Sequence, residues 1–275
     1  MERFIKSVLW LAIIHVMALL FFSFFRLVEF VSLHSQIAHY DASSLGAFVR
    51  GVWFDNVIAC YIMVLPLVVV LVSAIIGWSR HWFRRGVTIY FSVLYAIAFM
   101  PSAANTPYFA YFFKNINSSI FGWFGYTATT VGMLMEEKSW WLYIALYFIA
   151  ITVFVFLLVR IERIYAKWLS AVPVMRSTRT YVACSVFTAL FVAICVFGIR
   201  GRRGYNPIKI SEAYYCDDPF LNQLGINPAF NLLTSTLDDL KPENKELRLM
   251  PDADAVTYTR SWLGLCSEDS LSTIH

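Results

Sequence analysis

The chain has 275 residues, 59% of them hydrophobic and 15% charged, with a mean hydropathy of +0.62. A soluble domain is roughly 45–50% apolar and about 25% charged, so the composition excludes an ordinary water-soluble fold. The net charge of +4 comes from Lys and Arg clustered beside apolar runs, the pattern that orients membrane helices and not a nucleic-acid footprint.

A membrane-crossing helix needs about 20 mostly apolar residues. Five segments meet that length: 7–25, 56–78, 87–105, 139–159 and 181–199. The first is too long for the apolar part of a cleaved signal and is followed by no small-residue cleavage site, so it reads as a retained anchor. Pro66 and Pro101 fall inside the second and third. The expected fold is all-α, a polytopic bundle of five transmembrane helices over residues 1–199, followed by a connector of short helices over residues 200–275.

Basic residues set the expected orientation. Arg3, Lys6, Arg80, Arg84, Arg85, Arg160, Arg163, Lys167, Arg176 and Arg179 lie on one side, against Arg26, Arg50, Lys114 and Lys138 on the other. The N-terminus is therefore expected inside and, with an odd number of spans, the C-terminus outside. Arg200, Arg202 and Arg203 oppose this trend locally, but the tail from Arg200 onward holds eight basic and eleven acidic residues and does not resemble a polybasic cytoplasmic anchor.

Between the third and fourth spans, Ile120, Phe124, Ala128, Val131 and Met135 recur at steps of three and four and predict an amphipathic helix. In the tail, Asn227-Pro228 predicts a helix start, with Asn as cap and Pro in the first turn, and Phe230, Leu233, Leu237 and Leu240 form one stripe. Gly225 suits the end of the helix before it. A last helix is expected from about residue 253 to 265.

No specific catalytic pattern is present: the sequence has no phosphate loop, no paired-His helix motif and no Cys-x-x-Cys. No catalytic or metal-binding residue is assigned. His15 lies mid-span and reads as a neutral imidazole hydrogen-bonded inside the bundle, with a functional ionisable group as the alternative. Cys60, Cys184 and Cys195 lie in apolar runs and read as small core residues. Cys216 and Cys266 lie in the polar tail, where pairing depends on geometry and on an oxidising compartment. Arg26 and Glu29, one turn apart, are placed to pair with each other. Arg50 and Asp55 suit either an interfacial anchor or bundle ion pair, or contact with a lipid phosphate through the planar guanidinium. Arg26, Arg50, Asp55, Arg200 and Arg203 together are the candidate lipid-headgroup residues.

Four stretches carry a family likeness: "FRLVEF" ending the first span, "RGVWFDNVIACYIMVLPLVV" opening the second, "NTPYFAYFFKNINSSIFGW" after the third, and "GIRGRRGYNPIKISEAYYCDDPFLNQLGINPAFNLLTS" after the fifth. In order and spacing they resemble the membrane portion of the lipoteichoic acid synthase family, the phosphoglycerol transferases of the alkaline phosphatase/sulfatase superfamily. The resemblance implies five helices in a bacterial cytoplasmic membrane, anionic phospholipid as a partner, and an extracytoplasmic catalytic domain using manganese or magnesium. Such a metal would activate a nucleophile and stabilise phosphoryl charge. That domain is not recognisable here, so this chain is expected to need no cofactor of its own and to lack transferase activity alone. Lys114 stands where the family pattern leads one to expect arginine. The alternatives are the membrane part of a phosphoethanolamine transferase, or a stand-alone transporter or assembly protein.

Overall fold

A computed structural model describes residues 1–37, 43–78, 80–126, 132, 138–172, 177–241 and 250–264. Five long helices dominate: α1 (Glu2–Ser32), α2 (Ser43–Ile76), α3 (His81–Phe112), α4 (Lys138–Ser170) and α5 (Thr178–Arg200). Each is long and apolar enough to cross a membrane, and no strand occurs among the described residues. Among the described residues a 3-10 turn at Ile210–Ala213 and three short α-helices follow: α6 (Pro219–Leu224), α7 (Pro228–Asp239) and α8 (Asp252–Leu263). The chain is an all-α, multi-pass membrane protein.

Most of the long helices outrun the apolar segments that mark them. Hydropathy registers only the part of a helix that replaces lipid, whereas the hydrogen-bonded backbone continues into water until a cap or breaker stops it. The 31 residues of α1 rise about 46 Å at about 1.5 Å each, against a hydrocarbon core of about 30 Å. Pro66, Pro101 and Pro107 lie within continuous α2 and α3. α5 stops at Gly201, whose φ of 71° is left-handed and open to glycine at no steric cost.

The chain divides into two compact units, Met1–Thr236 and Leu237–His275. Composition changes near residue 200, but the first compact unit runs to Thr236. Residues 200–236 therefore belong with the bundle, held by hydrogen bonds that composition does not register. Within this unit α1 packs on α2, α3 and α4, and α5 packs on α2.

Lipid tails are as apolar as leucine, so packing must hold such a bundle more than the hydrophobic effect does. Aromatic rings supply much of it. Phe22 meets Phe99 edge-on at 4.8 Å between centroids, Phe99 meets Phe154 at 5.1 Å, and Tyr95 meets Phe154 at 5.2 Å. Each such pair contributes about 0.5–1.5 kcal/mol beyond its buried area. His15 Nε2 hydrogen-bonds Asn56 Oδ1 at 3.0 Å, so the half-buried imidazole is bonded within the bundle as expected from sequence. Leu142, Phe148 and Phe156 of α4 and Val182, Val186 and Leu190 of α5 point outward, as lipid-facing residues should.

In the second unit, α8 opens with Asp252 and Asp254 and ends near Arg260, a charge order that complements the helix dipole. Its range agrees closely with the expected one. The predicted loop helix behaves differently. Ser118–Tyr126 is 3-10 helix, with a period of three in place of 3.6 over the part of the expected helix that is described. Ala128, Val131 and Met135 lie outside the described residues, as does Cys266. Cys216 is a free, half-buried thiol.

Candidate functional site

The densest buried polar cluster sits where α1 ends, α2 begins and residues 222–231 fold back. Arg26 and Glu29 of α1 are 5% and 4% exposed, and Asp55 of α2 is fully buried. They are not paired as sequence spacing suggests. Arg26 reaches across to α2, donating from Nη1 to Asp55 Oδ2 and from Nη2 to Oδ1, both at 2.7 Å. A same-helix Arg–Glu pair gives two flexible side chains one contact, whereas the cross-helix fork matches a carboxylate with two parallel bonds.

Gly51 makes that reach possible. It lies one helical turn before Asp55, and a Cβ there would stand 2.1 Å from Arg26 Cζ. The guanidinium crosses α2 over bare backbone, and a side chain at this position would push it aside.

The connector closes the cluster. Arg26 Nε donates to the carbonyl of Leu224 at 3.0 Å. Asn227 Nδ2 donates to Asp55 Oδ1 at 2.7 Å, while its own Oδ1 accepts from the backbone N–H of Ala229 and Phe230 at 2.9 and 3.1 Å. One side chain thus caps α7 and ties it to the buried ion pair. Phe230 then packs against Phe54, with ring centroids 5.1 Å apart.

Asparagines extend the network through α3. Asn105 Nδ2 donates to Glu29 Oε1 and to Asn115 Oδ1, each at 2.8 Å, and Asn105 Oδ1 accepts from the N–H of Ile116 at 2.9 Å. Asn115 Nδ2 donates to the carbonyl of Gln223, and Asn231 Nδ2 to that of Ile116, both at 2.8 Å. The segment after α3 is thereby stitched to α3 on one side and to the connector on the other.

A second, shallower rim of contacts surrounds this centre. Arg50 lies over the Trp53 ring at 5.6 Å and donates to the carbonyl of Glu212 at 3.1 Å. Glu212 pairs through its carboxylate with Arg202. Trp53 Nε1 donates to the carbonyl of Gly201. Tyr215 donates from its hydroxyl to the carbonyl of Ser43 at 2.5 Å, and burial pushes its pKa above the ordinary phenol value, so it stays a neutral donor.

The residues singled out from sequence therefore separate. Arg26 and Asp55 come together and consume each other's hydrogen-bonding capacity. Arg50 is held by the connector. Arg200 donates to the carbonyls of Gly204 and Tyr205, and Arg203 is exposed. Sequence reasoning missed Asn105, Asn115 and Asn231 and the second role of Asn227. For Asn105 and Asn115 the available signal was an amide side chain within or just beyond an apolar span, since such groups persist near lipid only when bonded to something; Asn227 and Asn231, well past the last span, gave no such signal.

On the expected α7 stripe, Phe230 is buried and Leu233 is 39% exposed, while Leu237 and Leu240 belong to the second unit. Two amides, Asn227 and Asn231, anchor α7 beside Phe230, so its docking is as much polar as apolar.

Compared with family models, curated proteins and solved structures, the chain matches none.

Proposed function

We propose that this chain is the membrane and connector module of a phosphoglycerol transferase-like envelope enzyme similar to lipoteichoic acid synthase. One observation carries the reading. The four stretches on which the resemblance rests contribute Arg26 and Glu29, Gly51 and Asp55, Asn105 and Asn115, and Asn227, and these buried residues form two hydrogen-bonded sets, Arg26–Asp55–Asn227 beside Gly51 and Glu29–Asn105–Asn115, that meet at one cavity. Stretches similar for unrelated reasons have no cause to converge on one site.

In this reading the site holds rather than reacts. It fixes the segment after the last span against the ends of α1, α2 and α3, which sets the height of a metal-dependent catalytic domain above the membrane. The basic asymmetry of the loops supports a site facing outward from a bacterial cytoplasmic membrane, with anionic phospholipid as the neighbour of Arg203 and the rim arginines.

The test uses phosphatidylglycerol vesicles containing the full chain, to which the soluble catalytic domain of such a transferase is added with manganese. The expected result is faster release of diacylglycerol than from vesicles lacking the chain, and no release when the chain is present alone. Equal rates with and without the chain would count against the proposal.

A further inference from the structure

A small cavity adjoins the ion pair, bounded by Phe22, Phe25, Arg26, Glu29, Ser102 and Asn227 among others. It has room for about one water molecule. Ser102 is 4% exposed, and its Oγ has no hydrogen-bond partner. A buried hydroxyl without a partner beside a polar cavity calls for an occupant that can hydrogen-bond.

The charges around the cavity do not balance if every group is ionised. From α1 comes one cation, Arg26, and one carboxyl, Glu29; from α2 comes a second carboxyl, Asp55. From α3 come Ser102 and Asn105, and from the connector Asn227 and the Leu224 carbonyl, none of which titrates in the ordinary range. Asp55 holds both forks of Arg26 and a bond from Asn227, so the one cation at the cavity is already engaged by it. Glu29 accepts one hydrogen bond, from Asn105, and among the described residues it has no ion pair. An unpaired carboxylate excluded from water beside a second carboxylate is strongly disfavoured relative to its acid form.

We propose that this cavity binds one water and that Glu29 holds a proton there as a neutral carboxylic acid. The acid O–H donates to the water, and the water bonds Ser102 Oγ, which gives the orphan hydroxyl its partner. Losing the proton places a second negative charge beside Asp55, sets the two carboxylates in competition for Arg26, and weakens the grip on Leu224 and Asn227. The native state then binds a proton that the unfolded chain releases above the ordinary glutamate range of about 4.3. Stability must therefore fall as pH rises through the folded-state pKa. This inference stands on the cavity and its charges and does not rest on the transferase reading.

Infrared spectroscopy of the full chain in lipid tests it directly. The wild type at neutral pH should show the carbonyl stretch of a protonated carboxylic acid. That band should bleach on raising the pH and be missing from Glu29→Gln, which keeps an acceptor for Asn105. Ser102→Ala should move the band to higher frequency, because it removes the water's second anchor. The thermal midpoint of the wild type should fall with rising pH, and that of Glu29→Gln should fall less. If Glu29→Gln does not fold, the wild-type titration and Ser102→Ala decide the question by themselves. Wild-type and Glu29→Gln spectra that coincide at neutral pH would overturn the proton, as would a wild type without the band whose midpoint rises selectively with sodium. A band unmoved by Ser102→Ala would overturn the water.

Discussion

The two ends of the bundle solve the same problem differently. At one end Arg26 and Asp55 form a two-bond pair, 4% and 0% exposed in their side chains, enclosed by amides from α3 and the connector. At the other end Arg84 Nε meets Glu162 Oε1 at 2.9 Å, and their side chains are 14% and 10% exposed. Nearby, Arg3 donates to the carbonyl of Val172 at 2.8 Å and Lys6 to that of Trp168 at 3.1 Å. That second end ties helices to one another and to the short turns that join them. The first ties helices to a segment some 170–200 residues later in the chain. A membrane bundle needs only helix contacts to be a bundle, so the extra polar investment at one end marks the place where something outside the spans must be held still.

The largest break in this contrast should come from Asp55→Ala. It strands Arg26 in a buried site, which costs about 3–5 kcal/mol, and it removes a partner of Asn227. We expect a lower thermal midpoint together with rapid protease cleavage within residues 201–218, while Glu162→Gln leaves cleavage there unchanged. Equal cleavage in the two variants would erase the distinction between the ends.

Asn227→Ala should follow. Losing a helix cap costs about 0.5–2 kcal/mol, and Asp55 loses a buried donor as well. Hydrogen exchange of Ala229 and Phe230 should accelerate while amides in the middle of α1 stay protected. Uniform acceleration would mean that the bundle and the connector unfold as one.

Gly51→Ala sharpens the comparison by geometry alone. The added methyl displaces a pinned guanidinium, and overpacking of this kind costs about 1–3 kcal/mol. Combining Gly51→Ala with Asp55→Ala should cost less than the sum of the two, since both act on the same ion pair. Strict additivity in a double-mutant cycle would show that Gly51 serves something other than Arg26.

The smallest effect belongs to Arg203→Ala. An exposed side chain away from such features shifts stability by no more than about 0.5 kcal/mol, so the midpoint should hold. If anionic lipid neighbours this residue, mass spectrometry of the chain released from mixed bilayers should show less retained phosphatidylglycerol. An unchanged lipid profile would confine Arg203 to general solvation.

The five spans and the helical class were legible in the sequence because a helix in lipid must satisfy its backbone internally, and about 20 apolar residues leave it no alternative. The start of α7 was legible too, since Asn-Pro determines a local hydrogen bond and a local torsion. The partner of Arg26 was not. Glu29 is three residues away on the same helix and Asp55 is 29 away on another, so proximity in sequence favoured the wrong carboxylate. Only the packing of α1 on α2 across Gly51 brought the guanidinium to Asp55, and only the return of residues 222–231 added Leu224 and Asn227. Local periodicity and capping depend on nearest neighbours along the chain and can be read from them. A buried polar network depends on which distant groups arrive together with the right geometry, and that was decided by the tertiary structure.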